Sequence, residues 1–150
     1  MIENPQKQKP NKWLDLDNCY LCYVTYLDVS KELQILGDLP SFDTRYPGKL
    51  ESILGSVKQT FAGNYLNNSI VDAYVSYFYQ IIKGHPFIDG NKRMSVLFSH
   101  IFLLHNGYDV ANKFDYAQMY DIAIKIAEST DERLARKEIK EIILKNIKSL

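Results

Sequence analysis

Long hydrophobic runs are missing from this sequence. No apolar stretch approaches the ~20 residues that a bilayer crossing requires. The opening Met1–Lys12 carries Lys7, Lys9, Lys12 and two prolines where a secretory signal would have an apolar core. No membrane association is expected, and the expected location is the cytoplasm. An excess of either charge is missing too. Lys and Arg number 18 against 18 Asp and Glu, so no overall field draws the protein to nucleic acid, and direct nucleic-acid binding is not expected. Any anion site must be local. Cysteine is scarce: Cys19 and Cys22 form a lone C-x-x-C. With no second ligand pair and no strand-to-helix setting, the pair reads as two small residues buried on one helix turn rather than as a redox or metal site. His100 and His105 fall within an apolar helical run and read as core or boundary residues. Internal repeats and low-complexity tracts are absent as well.

What remains is ordinary globular material. At 150 residues with 46% hydrophobic content, the chain can bury one core. Residues 1–12 are polar and proline-punctuated and are expected to form a flexible arm, with residues 13–150 as a single domain. Apolar residues at helical spacing predict a helix from about Leu14 to Leu36, capped by Asp15 or Asp17, with Leu16, Cys19, Tyr20, Tyr23 and Val24 inward. Gly37–Pro40 stops it, and the stretch through Pro47-Gly48 is loop. A short helix is predicted from Lys49 to Leu54. Residues 55–63 lack a helical stripe, are bounded by glycines, and read as an extended segment or small hairpin. A helix follows from Ile70 to Lys83 with Gly84 as its C-cap. The next, from Gly90 to Asn106, is apolar nearly all round and is expected to be the central, surrounded one. A helix over Tyr116–Glu128 comes next. The last opens with a Ser129-x-x-Glu132 capping box and runs to the C-terminus on Leu134, Ile139, Ile142, Ile143 and Ile147. The fold class is all-α: a bundle of six helices with one extended excursion.

One stretch has no use in a core. His85-Pro86-Phe87-Ile88-Asp89-Gly90-Asn91-Lys92-Arg93 gathers a base, an acid, a glycine, an amide and two cations between two apolar helices. Gly90, Asn91 and Lys92 read as the first positions of the following helix. The backbone N–H groups there lack intrahelical partners and carry the positive end of the helix dipole, which makes an anion site. Lys92 and Arg93 add charges that phosphate oxygens accept. Asp89 suits either an N-cap or a Mg²⁺ ion bridging to phosphates. His85 suits either a general base, an effect worth ~10²–10⁴-fold, or a cap on the preceding helix's carbonyls. Phe87 is expected to anchor the loop in the core.

His85-x-Phe87-x-Asp89-Gly90-Asn91-Lys92-Arg93 resembles the signature of the Fic/Doc (Fido) family, H-x-F-x-[DE]-G-N-G-R-x-x-R, and its Asn-Lys-Arg ending resembles the Doc, or death-on-curing, branch. Pro47–Leu54, Gln59–Gly63 and Leu103–Tyr108 are similar to flanking segments of that family, so the likeness covers most of residues 38–128. The resemblance implies a helical bundle with a β-hairpin flap before the motif, placed here at Lys58, Gln59, Thr60 and Phe61. The flap docks a target segment as an added strand. It implies His85 as general base, Asp89 as Mg²⁺ ligand, and Gly90, Asn91, Lys92 and Arg93 as the nucleotide-phosphate cradle, with ATP or another nucleoside triphosphate as co-substrate.

The departures from the signature bear on the reaction. Most Fic members transfer AMP and have Gly after the Asn and a second Arg three residues beyond the first; here those positions hold Lys92 and Val96. Doc-like members share the lysine and lack the second Arg, and resemble enzymes that pass on the γ-phosphate. The resemblance therefore implies phosphoryl transfer to a protein Ser or Thr, preferred over AMPylation and over a non-catalytic Fic-like binding role. The inhibitory [ST]-x-x-x-E-[GN] pattern of many Fic enzymes is absent from the sequence. This implies control in trans, as in a toxin–antitoxin pair whose small antitoxin folds onto the toxin, with a translation elongation factor as the family-implied target.

Overall fold

A helix that is apolar on nearly every side is stable only when other elements cover every side. Two helices here meet that description. The computed structural model of the chain describes residues 4–33, 42, 48–111 and 116–150. Its elements run α1 (Leu16–Leu33), α2 (Lys49–Val57), β1 (Thr60–Phe61), β2 (Asn64–Tyr65), α3 (Ile70–Gly84), α4 (Asn91–His105), β3 (Tyr108–Val110), α5 (Tyr116–Glu128), α6 (Glu132–Asn146) and β4 (Ile147–Ser149). The six-helix, all-α architecture with a short hairpin is as the sequence predicts. The expected end of the first helix at Leu36 and the Gly37–Pro40 break lie outside the described residues.

α4 was expected to be the surrounded helix, but α3 shares the centre with it. α3 buries Ile70, Val71, Tyr74, Tyr77, Phe78, Ile81 and Ile82 and packs against α2, α4, α5 and α6. α4 buries Met94, Val96, Leu97, Phe98, Ile101, Phe102 and Leu103 between α3, α5 and β3. The two run side by side, and the loop between them is the 85–90 stretch.

Capping decides several boundaries. Asp15 Oδ1 accepts from Asn18 N at 2.8 Å while Asn18 Oδ1 accepts from Asp15 N at 2.9 Å. That reciprocal pair is a capping box, and it confirms Asp15 over Asp17 as the cap of α1. The predicted Ser129–Glu132 box does not form. Asp131 is the N-cap of α6, its side chain accepting from Leu134 N at 3.1 Å, so the helix starts at Glu132 and Ser129 lies two positions too early to reach its first turn. Leu134, expected inward, is exposed, and α6 buries Ala135, Ile139 and Ile143. α6 also stops before the C-terminus. Ile147–Ser149 leave the helix and pair antiparallel with β3, Ile147 opposite Val110 and Ser149 opposite Tyr108, a second small sheet with no counterpart in the sequence reading.

Other elements shift in smaller ways. On α1, Cys19 and Tyr23 are buried as expected, but Leu16, Tyr20 and Val24 are exposed and Cys22 only half-buried. His105 is exposed rather than a core residue, with Nε2 3.9 Å from Cys22 Sγ. α2 continues through Gly55 and Ser56 to Val57, because the fully buried Val57 gives one more turn a core contact. Residues 4–12, expected as a flexible arm, are tied down. The carbonyls of Pro5 and Gln8 accept from Val71 N and Ile70 N, and the Asn106 side chain binds the backbone of Asn11 and Lys12 at 2.8–3.1 Å. The arm thus satisfies first-turn donors of α3 that no intrahelical carbonyl can reach.

The hairpin overlaps the predicted extended segment, residues 55–63, whose first three residues belong instead to α2. Thr60 pairs with Tyr65 and Phe61 with Asn64 around a two-residue loop, Ala62-Gly63, in which both residues have positive φ, 52° and 82°. Such a turn matches the natural strand twist but strains a residue with a Cβ. Ala62→Gly is therefore expected to stabilise the protein by about 1 kcal/mol. Urea unfolding measures it, and an unchanged or lower midpoint would show that the loop does not hold this conformation.

Candidate functional site

α3 ends where its own packing forces a tight exit. Gly84, expected as the C-cap, is the last helical residue, and a Cβ placed there would overlap Ile53 Cδ1 of α2. Its smallness serves the α2–α3 approach. The cap position falls to His85, which turns the chain in the left-handed conformation, φ 47° and ψ 54°. A residue with a Cβ at positive φ is strained, and such strain gathers at functional sites. Phe87 then drops into the core with no exposed surface, stacked on Phe98 at 5.9 Å and edge-on to Phe42 at 5.3 Å. It is the expected anchor, and burying such a ring is worth roughly 2–3 kcal/mol.

Asn91 closes the loop. Its Oδ1 accepts from Phe87 N at 2.9 Å and its Nδ2 donates to Phe87 O at 3.1 Å, so one amide pairs with both backbone groups of the anchor. The side chain was expected to face phosphate; its polar atoms instead hold the loop. Gly90, at φ 74°, is the N-cap of α4 and gives no side-chain cap bond. Asp89 is thus not the cap residue. It sits one position earlier, exposed, with Oδ1 accepting from Gly90 N at 2.8 Å. The first-turn N–H groups of α4 have no intrahelical acceptors and no side-chain cap. Lys92 and Arg93 are half-buried on that same turn.

The two readings of His85 turn out to be compatible. Its Nδ1 lies 3.0 Å from the Ile82 carbonyl. A carbonyl only accepts, so Nδ1 carries the proton, and the lone pair of the neutral ring is at Nε2. The bond that satisfies an end carbonyl of α3 also sets the tautomer a general base requires.

These residues line one cavity of about 320 Å³. His85, Asp89, Gly90, Asn91, Lys92 and Arg93 share it with Ile82, Ile88, Tyr120 and Ala127. The hairpin residues Lys58, Gln59, Thr60 and Phe61 do not line it; they are exposed, Phe61 at 76%. Val96, one turn after Lys92 on the same helix, is fully buried in the core and does not line the cavity. Tyr120 and Ala127 come from α5 and were not anticipated. They flank the inward stripe of Met119, Ala123 and Ile126, and nothing in the local pattern marks them as pocket residues. Two polar contacts hold α5 there. Lys83 Nζ donates to the carbonyls of Ala127 and Ser129 at 3.0 and 2.5 Å. At the other end His100 joins Tyr116 OH and Asp109 Oδ1, each at 2.6 Å.

Chemically, the arrangement offers an imidazole lone pair, a helix N-terminus with two cations, and one carboxylate at a single cavity. Among the described residues no cluster of three or more acidic, His or Cys side chains could hold a metal alone. The lone Asp89 carboxylate suits Mg²⁺ only as one ligand among water and phosphate oxygens, the usual manner for that ion. No described helix is long and apolar enough to cross a membrane.

The family model described as Fic/DOC family matches residues 20–103. The match covers more than half of the chain, and the chain belongs to the Fic/DOC family. Members of this family are usually transferases that attach AMP or phosphate. None of the curated proteins matches the chain.

Two outcomes follow from this geometry. Both His85→Ala and His85→Gly remove the imidazole, but only glycine relieves the positive φ. His85→Gly is expected to be about 1 kcal/mol more stable than His85→Ala in thermal or urea unfolding, and the reverse order would rule out the left-handed cap. The second concerns Asp109. Burial raises its pKa, but hydrogen bonds from His100 and from Val110 N–H, with the charges of His100 and Lys148, outweigh burial and hold the carboxyl below its ordinary value. A carboxyl depressed in the folded state stabilises above its unfolded pKa, and that contribution is lost as pH falls through the folded value. The loss therefore lies below about pH 4. Asp109→Asn is expected to lower stability at neutral pH and to converge on the parent protein in acid. A constant difference across a pH series of urea unfolding curves would contradict this.

Proposed function

We propose that this protein transfers the γ-phosphoryl group of ATP or another nucleoside triphosphate to a Ser or Thr hydroxyl of a target protein, in the manner of the Doc branch. The observation that carries the reading is the pairing of Lys92 at the cavity with Val96 in the core. Where an AMP-transferring member offers bare glycine backbone to the α-phosphate, this chain has a cationic side chain. Where such a member has a second Arg to grip the terminal phosphate, this chain has a buried apolar residue that does not line the cavity. The terminal phosphate is then the one left to approach the base.

His85 Nε2 takes the proton as the target hydroxyl oxygen attacks the γ-phosphorus. The bond to the bridging oxygen breaks, and the nucleoside diphosphate leaves. The Nδ1–H bond to the Ile82 carbonyl keeps the ring in place and stabilises the imidazolium that forms. The first-turn N–H groups of α4, with Lys92 and Arg93, hold the phosphate oxygens, an electrostatic contribution that costs no reorganisation during reaction. Asp89 would hold Mg²⁺, which neutralises phosphate charge when bound. The hairpin would present the target's backbone as an added strand along β1. With no inhibitory pattern in the sequence, the protein is read as the toxin of a toxin–antitoxin pair. A small antitoxin restrains it in trans, and a translation elongation factor is its target.

The test is to incubate the protein with candidate elongation factors and ATP labelled at either the α or the γ position. Label from the γ position is expected on the target, and label from the α position would replace this reading by AMP transfer. His85→Ala is expected to lower the rate by ~10²–10⁴-fold; modification or growth inhibition that survives the change would leave a binding role.

A further inference from the structure

The sequence motif accounts for two walls of the cavity, the loop and α4. The third wall, α5, contributes Tyr120, the one Phe, Tyr or Trp lining the cavity among the described residues. The Arg93 guanidinium stands over the Tyr120 ring with its carbon 5.9 Å from the ring centroid. That is within the range at which a cation is attracted to an aromatic face. Arginine keeps its planar fork of donors while stacked in this way, which a lysine cannot do.

The ring is held where it is. One turn before it, Tyr116 OH bonds His100 of α4, and His100 is bonded in turn to Asp109 of β3. Beyond it, Lys83 of α3 donates to the carbonyls of Ala127 and Ser129 at the end of α5. Both ends of α5 are therefore latched to the two helices that flank the motif loop, and these polar contacts hold α5, with Tyr120, beside α4.

We propose that Tyr120 is a positioning residue. Its ring orients the Arg93 guanidinium toward the polyphosphate, so that α5 sets nucleotide affinity without touching the reacting atoms. This rests on the nucleotide-binding reading above. The hydroxyl of Tyr120 has no part in it; the face of the ring does.

The experiment is calorimetric titration of the full chain with ATP and magnesium, in a His85→Ala background so that no turnover intervenes. Tyr120→Leu is expected to weaken ATP binding roughly three- to tenfold, and Tyr120→Phe to stay within about twofold of the parent. In an Arg93→Ala background, Tyr120→Leu is expected to have no further effect, a coupling that a merely structural residue would not show. If Tyr120→Leu folds poorly, Tyr120→Met fills the same space and replaces it. Unchanged affinity in Tyr120→Leu, an equal loss in Tyr120→Phe, or an undiminished loss without Arg93 each overturns the proposal while leaving nucleotide binding intact. Absence of binding of ATP and of the other nucleoside triphosphates to the parent protein overturns both.

Discussion

The side-chain amide of Asn91 pairs with the N–H and the carbonyl of Phe87 at once, and the cavity depends on that pairing. Three residues lie between the two, so the amide acts as a rung closing the loop between α3 and α4. The loop would otherwise have a buried backbone with unmet hydrogen bonds, a cost of roughly 1–3 kcal/mol for each group. Phe87 supplies the other half of the constraint, its ring buried against Phe98 of α4 and Phe42. Between them the loop has one path, and His85, Asp89 and the start of α4 are placed by it. Anion binding is thereby left to the backbone N–H groups and to Lys92 and Arg93.

Two left-handed residues bracket this loop, His85 and Gly90. Their functional consequences differ. Gly90 takes the conformation at no steric cost and keeps a side chain away from the N-terminus of α4. His85 takes it under strain, and the surrounding contacts hold it: Ile53 against Gly84, the Ile82 carbonyl on Nδ1, and the buried Pro86-Phe87 pair. The same geometry that strains the backbone settles which nitrogen of the imidazole carries the proton.

Much of this was legible in the residues. The all-α class followed from apolar spacing, and the bounds of α5 match the pattern closely because its neighbours are polar and its stripe is clean. The hairpin was foreseen because the residues before Gly63 carry no helical stripe, although Gly55, read as the segment's other boundary, lies inside α2. The errors share one cause: a local pattern can be satisfied by more than one residue. Ser129 and Asp131 are both competent caps, and tertiary geometry chose Asp131. Gly84 looked like a C-cap, but its role is the close approach of α2. Tyr20 and Val24 look like core by type, and Cys19 and Tyr23 are the pair that the neighbouring elements cover. The antiparallel pairing of Ile147–Ser149 with Tyr108–Val110 joins segments far apart in the chain, and no local signal announces it.

By itself the sequence determined the chemistry-bearing stretch, the family that stretch resembles, and the helical scaffold around it. Those depend on residue type at short spacing, where backbone geometry leaves few alternatives. Only the tertiary structure decided that Asn91 holds the loop, that His85 bonds Ile82 through Nδ1, and that Val96 is buried in the core while Lys92 lines the cavity. It also decided that α5 brings Tyr120 over against Arg93. Each of these depends on where a side chain meets a distant one, and packing sets that only once every helix is in place.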